Sequence, residues 1–193
     1  MIRRAVVLAA CIIALVGAGF TVATAPESET IVEPFYVTGI VGDDVSSRLL
    51  AVRVHEVVVA DQIVAKYRSE EQQLESAGVW VVVDVTVTPT TDTVSLDQAQ
   101  LWIGDARYRP SGMIPSPSIQ LITYGAGVPM RGDLVFEIPR SALDGQPASQ
   151  ASIVFSPAFQ VRLDTVAVVV VDLESPDIER MVRTDPARVV DSK

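Results

Sequence analysis

The sequence predicts an all-β fold, an antiparallel sandwich of seven to eight strands, preceded by one N-terminal transmembrane helix. Three observations carry that expectation. Val79 to Thr88 (VWVVVDVTVT) alternates in period two, with Val79, Val81, Val83, Val85 and Val87 on one side and Trp80, Val82, Asp84, Thr86 and Thr88 on the other. That is the pattern of a strand with one face in a core. Similar runs recur between turn formers without a clear period of 3.6, which argues against the helical crossovers of a parallel sheet. The chain also opens with an uncharged run of 21 residues, Ala5 to Ala25. About 20 residues at 1.5 Å rise cross a hydrocarbon core of about 30 Å.

Taken in chain order, Arg3 and Arg4 ahead of that run keep the N-terminus inside and send everything after Pro26 outward. Residues 1–25 therefore read as a signal-anchor. A cleaved signal peptide is the alternative, since Ala23-Thr24-Ala25 supplies small residues before a cut. Against cleavage stand Pro26 just beyond the bond and an apolar run longer than a usual signal core. Leu8-Ala9-Ala10-Cys11 looks like a lipobox, but the apolar run continues past Cys11, which fits a small apolar residue within the span. Residues 26–34 (PESETIVEP) are polar, acidic and bounded by prolines, which suits a linker.

The sandwich is expected over residues 35–174. Leu50 to Val59 (LAVRVHEVVV) and Gly132 to Pro139 (GDLVFEIP) repeat the alternation, and Ala151 to Phe155 and Thr165 to Leu173 read as buried strands. Shorter candidates lie at Tyr36 to Val41, Gln98 to Ile103 and Ile119 to Thr123, with turns at Pro89 to Asp92, Gly104-Asp105 and Asp144-Gly145. Lys66 to Ser76 (KYRSEEQQLES) has too thin an apolar stripe for a stable helix and reads as a mobile excursion. Residues 175–193 read as a charged C-terminal tail, with a turn or two of helix at Asp177 to Thr184 stopped by Pro186.

Composition narrows the function. The chain has 193 residues with 15 basic and 24 acidic side chains, a net charge of −9. Beyond residue 25 the balance is 13 against 24, a net of −11. No basic stripe is available for phosphates, so nucleic acid is not an expected partner. So acidic a surface stands off anionic lipid headgroups. One cysteine and one histidine exclude a disulfide framework and a His/Cys metal site built within one chain. Asp43-Asp44, Asp92, Asp97 and Asp105 match no calcium loop and are explained by turn chemistry. No metal and no cofactor are expected. His55 has no G-x-S-x-G serine to serve, and Arg131-Gly132-Asp133 is a turn-to-strand junction rather than an integrin tripeptide.

Gly78 to Thr88 (GVWVVVDVTVT), Val94-Ser95-Leu96 and Leu101 to Pro110 (LWIGDARYRP), followed by Arg131 to Pro139 (RGDLVFEIP) and the strand from Asp164 to Leu173, resemble a group of exported bacterial domains. This is the immunoglobulin-like family of unknown function related to the mycobacterial immunoprotective extracellular antigen. Pro89, where that group usually has asparagine, and the prolines of Pro110 to Pro117 depart from the pattern. The resemblance implies an extracytoplasmic, often anchored, immunoglobulin-like sandwich with no established chemistry, and it supplies no catalytic residue.

Two places are candidates for contact with a partner. Ser111 to Tyr124 (SGMIPSPSIQLITY) carries Met113, Ile114, Ile119 and Leu121 among prolines, and exposed apolar residues on a stiffened loop form binding patches. The competing reading is that this loop closes the end of the core. Trp80 alternates away from the valine face and is the second candidate, as an outward anchor. The expected function is a membrane-anchored, single-pass, N-inside module that binds another envelope protein or polymer and is not an enzyme. The alternative is an envelope hydrolase or metal-dependent enzyme on the same scaffold, with His55 meeting a serine or carboxylate in a pocket.

Overall fold

A computed structural model describes residues 13–20, 33–67, 70–96, 98–115, 118–123, 125–156 and 164–191. The chain divides into two units, Met1–Glu33 and Pro34–Lys193. In the first, residues 13–20 are helical and expose Ile13, Leu15, Val16 and Phe20. Among the described residues no helix is long and apolar enough to cross a membrane. The remaining residues of the expected span, 5–12 and 21–25, lie outside the described ones, as does most of the linker.

β-branched alternation builds the second unit. Its strands are β1 (Phe35–Ile40), β2 (Val45–Ser46), β3 (Leu50–Tyr67), β4 (Glu70–Pro89), β5 (Gln100–Ile103), β6 (Ala106–Tyr108), β7 (Met130–Ile138), β8 (Ala151–Phe155), β9 (Thr165–Val171), β10 (Ile178–Arg183) and β11 (Arg188–Val189). They form two sheets, β1-β9-β8-β5-β6 and β10-β3-β4-β7-β11, with β2 paired to β3. The five valines of the predicted core face, Val79 to Val87, are buried with Leu134, Phe136 and Ile138 of β7 against Leu101, Ile153, Phe155 and Val169 of the opposite sheet. The all-β sandwich is therefore present. The chain crosses between sheets from β1 to β2, from β4 to β5, from β6 to β7, from β7 to β8 and from β9 to β10.

The structure corrects the sequence reading in five places. Eleven strands among the described residues replace seven or eight. The sheets are mixed, because β1 runs parallel to β9 and β10 parallel to β3. Both parallel partners lie more than 100 residues apart, beyond the reach of hairpin logic. Lys66 to Ser76, expected as an excursion, is the far half of a long β3–β4 hairpin, save residues 68–69, which lie outside the described ones. There Ile63 sits opposite Leu74, the Gln62 amide donates to Glu75 Oε1 at 3.0 Å, and β10 flanks the other side of β3. Residues 175–193, expected as a tail with a short helix, contribute β10 and β11 to the sheet. Val182 packs on a buried cluster there, so apolar contact overrides weak helical propensity. The expected strand at Ile119 to Thr123 is instead a 3-10 turn at Ile119–Leu121.

One glycine fixes how closely β4 enters against β7. A Cβ on Gly78 would lie 2.1 Å from the Ile138 carbonyl oxygen, whereas one on Gly112 would meet nothing within 4 Å. Gly78→Ala is expected to destabilise by more than about 2 kcal/mol, with Gly112→Ala within about 0.5 kcal/mol of wild type. Urea unfolding of the two variants measures the contrast.

Candidate functional site

The outer face of the six-stranded sheet gathers the charged groups of its three central strands. Pairing places Arg53, Thr86 and Arg131 in one row across β3, β4 and β7, and sets Asp84 opposite Asp133. A register shift between Val54 and Glu56 leaves His55 at an irregularity of β3, where a bulge re-aims a side chain. Arg53, His55, Thr86, Thr88 and Arg131 line a groove of about 580 Å³, joined by Asp44 and by Asp191 of the C-terminal segment. Glu56, Asp84, Asp133, Arg183 and Asp185 line a second depression, of about 230 Å³, on the same face.

Most of these groups are already engaged. Arg131 holds Asp84 in a two-pronged pair, with Nε donating to Oδ1 at 2.9 Å and Nη2 donating to Oδ2. Arg53 Nη1 donates to Asp44 Oδ2 at 3.0 Å. The His55 ring nitrogen Nε2 lies 2.8 Å from Thr86 Oγ1, so its contact is a threonine hydroxyl rather than a serine or carboxylate. Burial, and then the Arg131 charge, push the His55 pKa down, which keeps the ring neutral at pH 7. Among the described residues, the side-chain contact of His55 is this threonine, and no carboxylate makes hydrogen-bond contact with the ring as the orienter of a catalytic triad would.

Asp133 is the exception on this face. It is 8% exposed, and burial pushes its pKa up to about 6. The backbone N–H of Asp185 donates to its Oδ2 at 2.5 Å and works against that rise, while the charges of Asp84 and Asp185 add to it. Arg131 and Asp133 thus both turn inward to partners of this chain. Gly132 between them faces the other way, where a Cβ would sit 3.0 Å from Ala187 Cα.

The contact residues expected from sequence divide sharply. Trp80 is fully buried, not an outward anchor. It does face away from the valine layer, but a second cluster encloses it, formed by Ile63, Val82, Ile114 and Val135 with Leu74 and Val182 at the margin. Ile114 is 5% exposed in that cluster and Ile119 is 0% exposed in the main core, so neither offers surface. Met113 and Leu121 are exposed, at 58% and 57%. The loop that carries them is pinned by Ser111 N–H to the Val135 carbonyl at 2.7 Å and by the Gln120 amide to the Ser111 carbonyl at 2.5 Å. Its residues 116–117, and Tyr124 at its end, lie outside the described ones.

Among the acidic turn residues, Asp43 accepts from Ile40 N–H at 3.0 Å and Asp92 from Thr93 N–H at 2.7 Å, as turn chemistry requires. Asp97 lies outside the described residues. No three acidic, histidine or cysteine side chains among the described residues gather as a metal site. Sequence reasoning missed the Asp84–Asp133 juxtaposition, because only the β4–β7 register reveals it. It also missed an aromatic pair on the other sheet, Tyr36 edge-on to Trp102 at 5.9 Å with the Arg107 guanidinium 4.2 Å from the Trp102 ring.

No family model matches the chain, and no curated protein does so. Solved structures that it is similar to include an uncharacterised β-sandwich protein from Clostridium difficile 630, at 9% identity and a TM-score of 0.47, covering 75% of this chain and 99% of that one. A second is the secreted protein MPT63 from Mycobacterium tuberculosis, at 15% identity and 0.49, covering 72% and 100%. A third is the yjhA protein from Bacillus subtilis, at 13% identity and 0.44, covering 67% and 98%. The sandwich assignment rests on this chain's own two sheets.

Two outcomes follow from the burial pattern. Ile114→Ala is expected to cost about 2–4 kcal/mol and Met113→Ala less than about 0.5 kcal/mol, read by chemical unfolding. Because the fold raises the Asp133 pKa to about 6, the contribution of this group to stability is fullest below about pH 4 and falls as pH climbs to near 6. The loss is up to about 3 kcal/mol. Asp133→Asn should abolish that slope in unfolding curves taken across the same pH range.

Proposed function

We propose that the protein is an extracytoplasmic contact module, an immunoglobulin-like sandwich carried on a membrane anchor at residues 5–25, which binds another envelope protein or polymer and is not an enzyme. The observation that carries this reading is the split of the Ser111 to Ile122 loop. Ile114 and Ile119 are sunk into two separate clusters while Met113 and Leu121 stand in solvent. A loop held from below by two buried side chains and a Gln120–Ser111 tie presents its apolar tips at little conformational cost, which favours association.

Two further features support it. The sheet orders place β4 with β7 and β9-β8-β5 opposite, the arrangement of the B–E and G-F-C strands of immunoglobulin domains. In the groove that His55 lines, Arg53 is paired with Asp44, Arg131 with Asp84 and His55 with Thr86, which favours shape and apolar contact as the means of action. The anchor rests on the length and charge flanks of the Ala5 to Ala25 run.

A photocrosslinking residue placed at Met113 or at Leu121 in whole cells tests the contact. Adducts of one discrete mass from both positions, and none from the exposed Glu137 on β7, are expected. Self-adducts alone, or none, overturn the loop as the interface. Intact mass of the exported product tests the anchor: retention of residues 1–25 is expected, and their loss converts the protein to a secreted form.

A further inference from the structure

Alternation along β5 sends Leu101 and Ile103 into the core and puts Trp102 on the outer face of the five-stranded sheet, packed on the buried Val154, Val166 and Val168. Three neighbours fix the indole there. Its Nε1–H donates to Gln100 Oε1 at 2.8 Å, the Tyr36 ring stands edge-on at 5.9 Å, and the Arg107 guanidinium lies 4.2 Å from the ring centroid. Arg107 is fixed in turn, with Nη1 donating to the Gly104 carbonyl at 2.7 Å and the Ala106 carbonyl at 3.0 Å. Beside the indole is a depression of about 410 Å³, lined by Trp102, Gly104, Gln146, Pro147, Gln150 and Ser152. That falls within the range of small-ligand sites, about 300–1,000 Å³. We propose that this depression binds a neutral saccharide, one hexopyranose unit of a glycan chain.

The chemistry of the lining selects the ligand. None of its side chains is ionisable, and Arg107 is committed to two carbonyls and the indole, so a charged ligand finds no counter-charge. A pyranose pairs a face of C–H bonds with a rim of hydroxyls that both donate and accept. Trp102 and Pro147 offer ring surface to the first, where polarised C–H bonds meet aromatic electron density favourably. The exposed Gln146 and Gln150 amides each offer an acceptor and two donors, and the Ser152 hydroxyl offers both, which suits the second. The two glutamines are four residues apart across a helical turn and so share one side of it. That turn is anchored: Ala148 is buried, and Leu173 N–H donates to its carbonyl at 2.9 Å. Gly104, at φ +56°, brings the β5–β6 turn so near that a Cβ there would lie 3.3 Å from Pro147 Cβ. Rings and amides set in place before binding lose little entropy on association. A peptide fits less well, because Trp102 pairs with Arg107 on one side and Ser152 on the other, leaving no backbone edge for strand addition. The site lies on the sheet opposite the Trp80 cluster that holds the Met113 loop, and it does not depend on that contact.

Proton–nitrogen NMR on the full chain, in phosphocholine micelles free of sugar detergent, reads the site. Cellohexaose, maltohexaose and mannohexaose are titrated in turn. At least one is expected to move the Trp102 indole N–H and the Gln146 and Gln150 amide signals saturably, while the indole of the buried Trp80 stays still. Hexagalacturonate, a carboxylated counterpart, should bind at least about tenfold more weakly than the best neutral sugar. The double variant Gln146→Ala, Gln150→Ala changes exposed positions only; it should keep the wild-type unfolding midpoint and weaken the titration at least about tenfold. No movement with any of the three sugars, a titration that survives the double substitution, or equal affinity for hexagalacturonate overturns the proposal. A Gly-Ser hexapeptide that titrates the same signals as tightly as the best sugar also overturns it, in favour of a peptide site.

Discussion

From Val79 to Val83 strand β4 is apolar on both faces, and the rest of the domain is arranged to cover that segment. The strand's valines at 79 to 87 fill the space between the sheets, while Trp80 and Val82 on the reverse side are 0% and 4% exposed. A sandwich strand ordinarily needs one cover, since its outer face meets water. This one needs two, and the second is supplied by Ile114 from the loop after β6, Val135 from β7 and Ile63 from the β3 arm. An indole buries about 150–250 Å² of surface, worth roughly 4 kcal/mol or more. That gain holds the loop in place although Trp80 Nε1 has no acceptor among the described residues, an omission that costs about 1–3 kcal/mol. The same packing decides which loop side chains are left over for a partner.

Farther along the same face, packing gives way to charge. Arg131 with Asp84 and Arg53 with Asp44 are partly exposed pairs, each worth about 0–1 kcal/mol. They add little stability and mainly keep charged ends from standing alone in an acidic domain. Asp133 differs because it is nearly dry, and its cost rises with pH.

The inner layer was legible in the sequence because alternation is a local signal. Val79 to Val87, Leu134, Phe136 and Ile138 all fall where period two puts them. The outer face was not, for the same reason: alternation assigns Trp80 to the reverse side of its strand but is silent about what lies across from it. The loop reading split accordingly, since spacing cannot separate Ile114 from Met113 next to it. Residues 178–183 look polar by themselves and become a strand by pairing with β3, far earlier in the chain, while residues 70–75 do so by closing the β3–β4 hairpin. The Asp84–Asp133 neighbourhood likewise exists only once β4 and β7 are in register.

The two parallel edges set the order in which this domain can be completed. β1 finds β9 only after some 130 intervening residues, and β3 waits for β10 across more than 110. Closing such long loops is entropically slow compared with zipping the β3–β4 hairpin. Newly made chain therefore carries Phe35 and Ile40 on an unpaired ribbon until its final third has emerged. During synthesis that ribbon is the stretch most open to pairing with a neighbouring molecule, a hazard that ends only when β9 arrives.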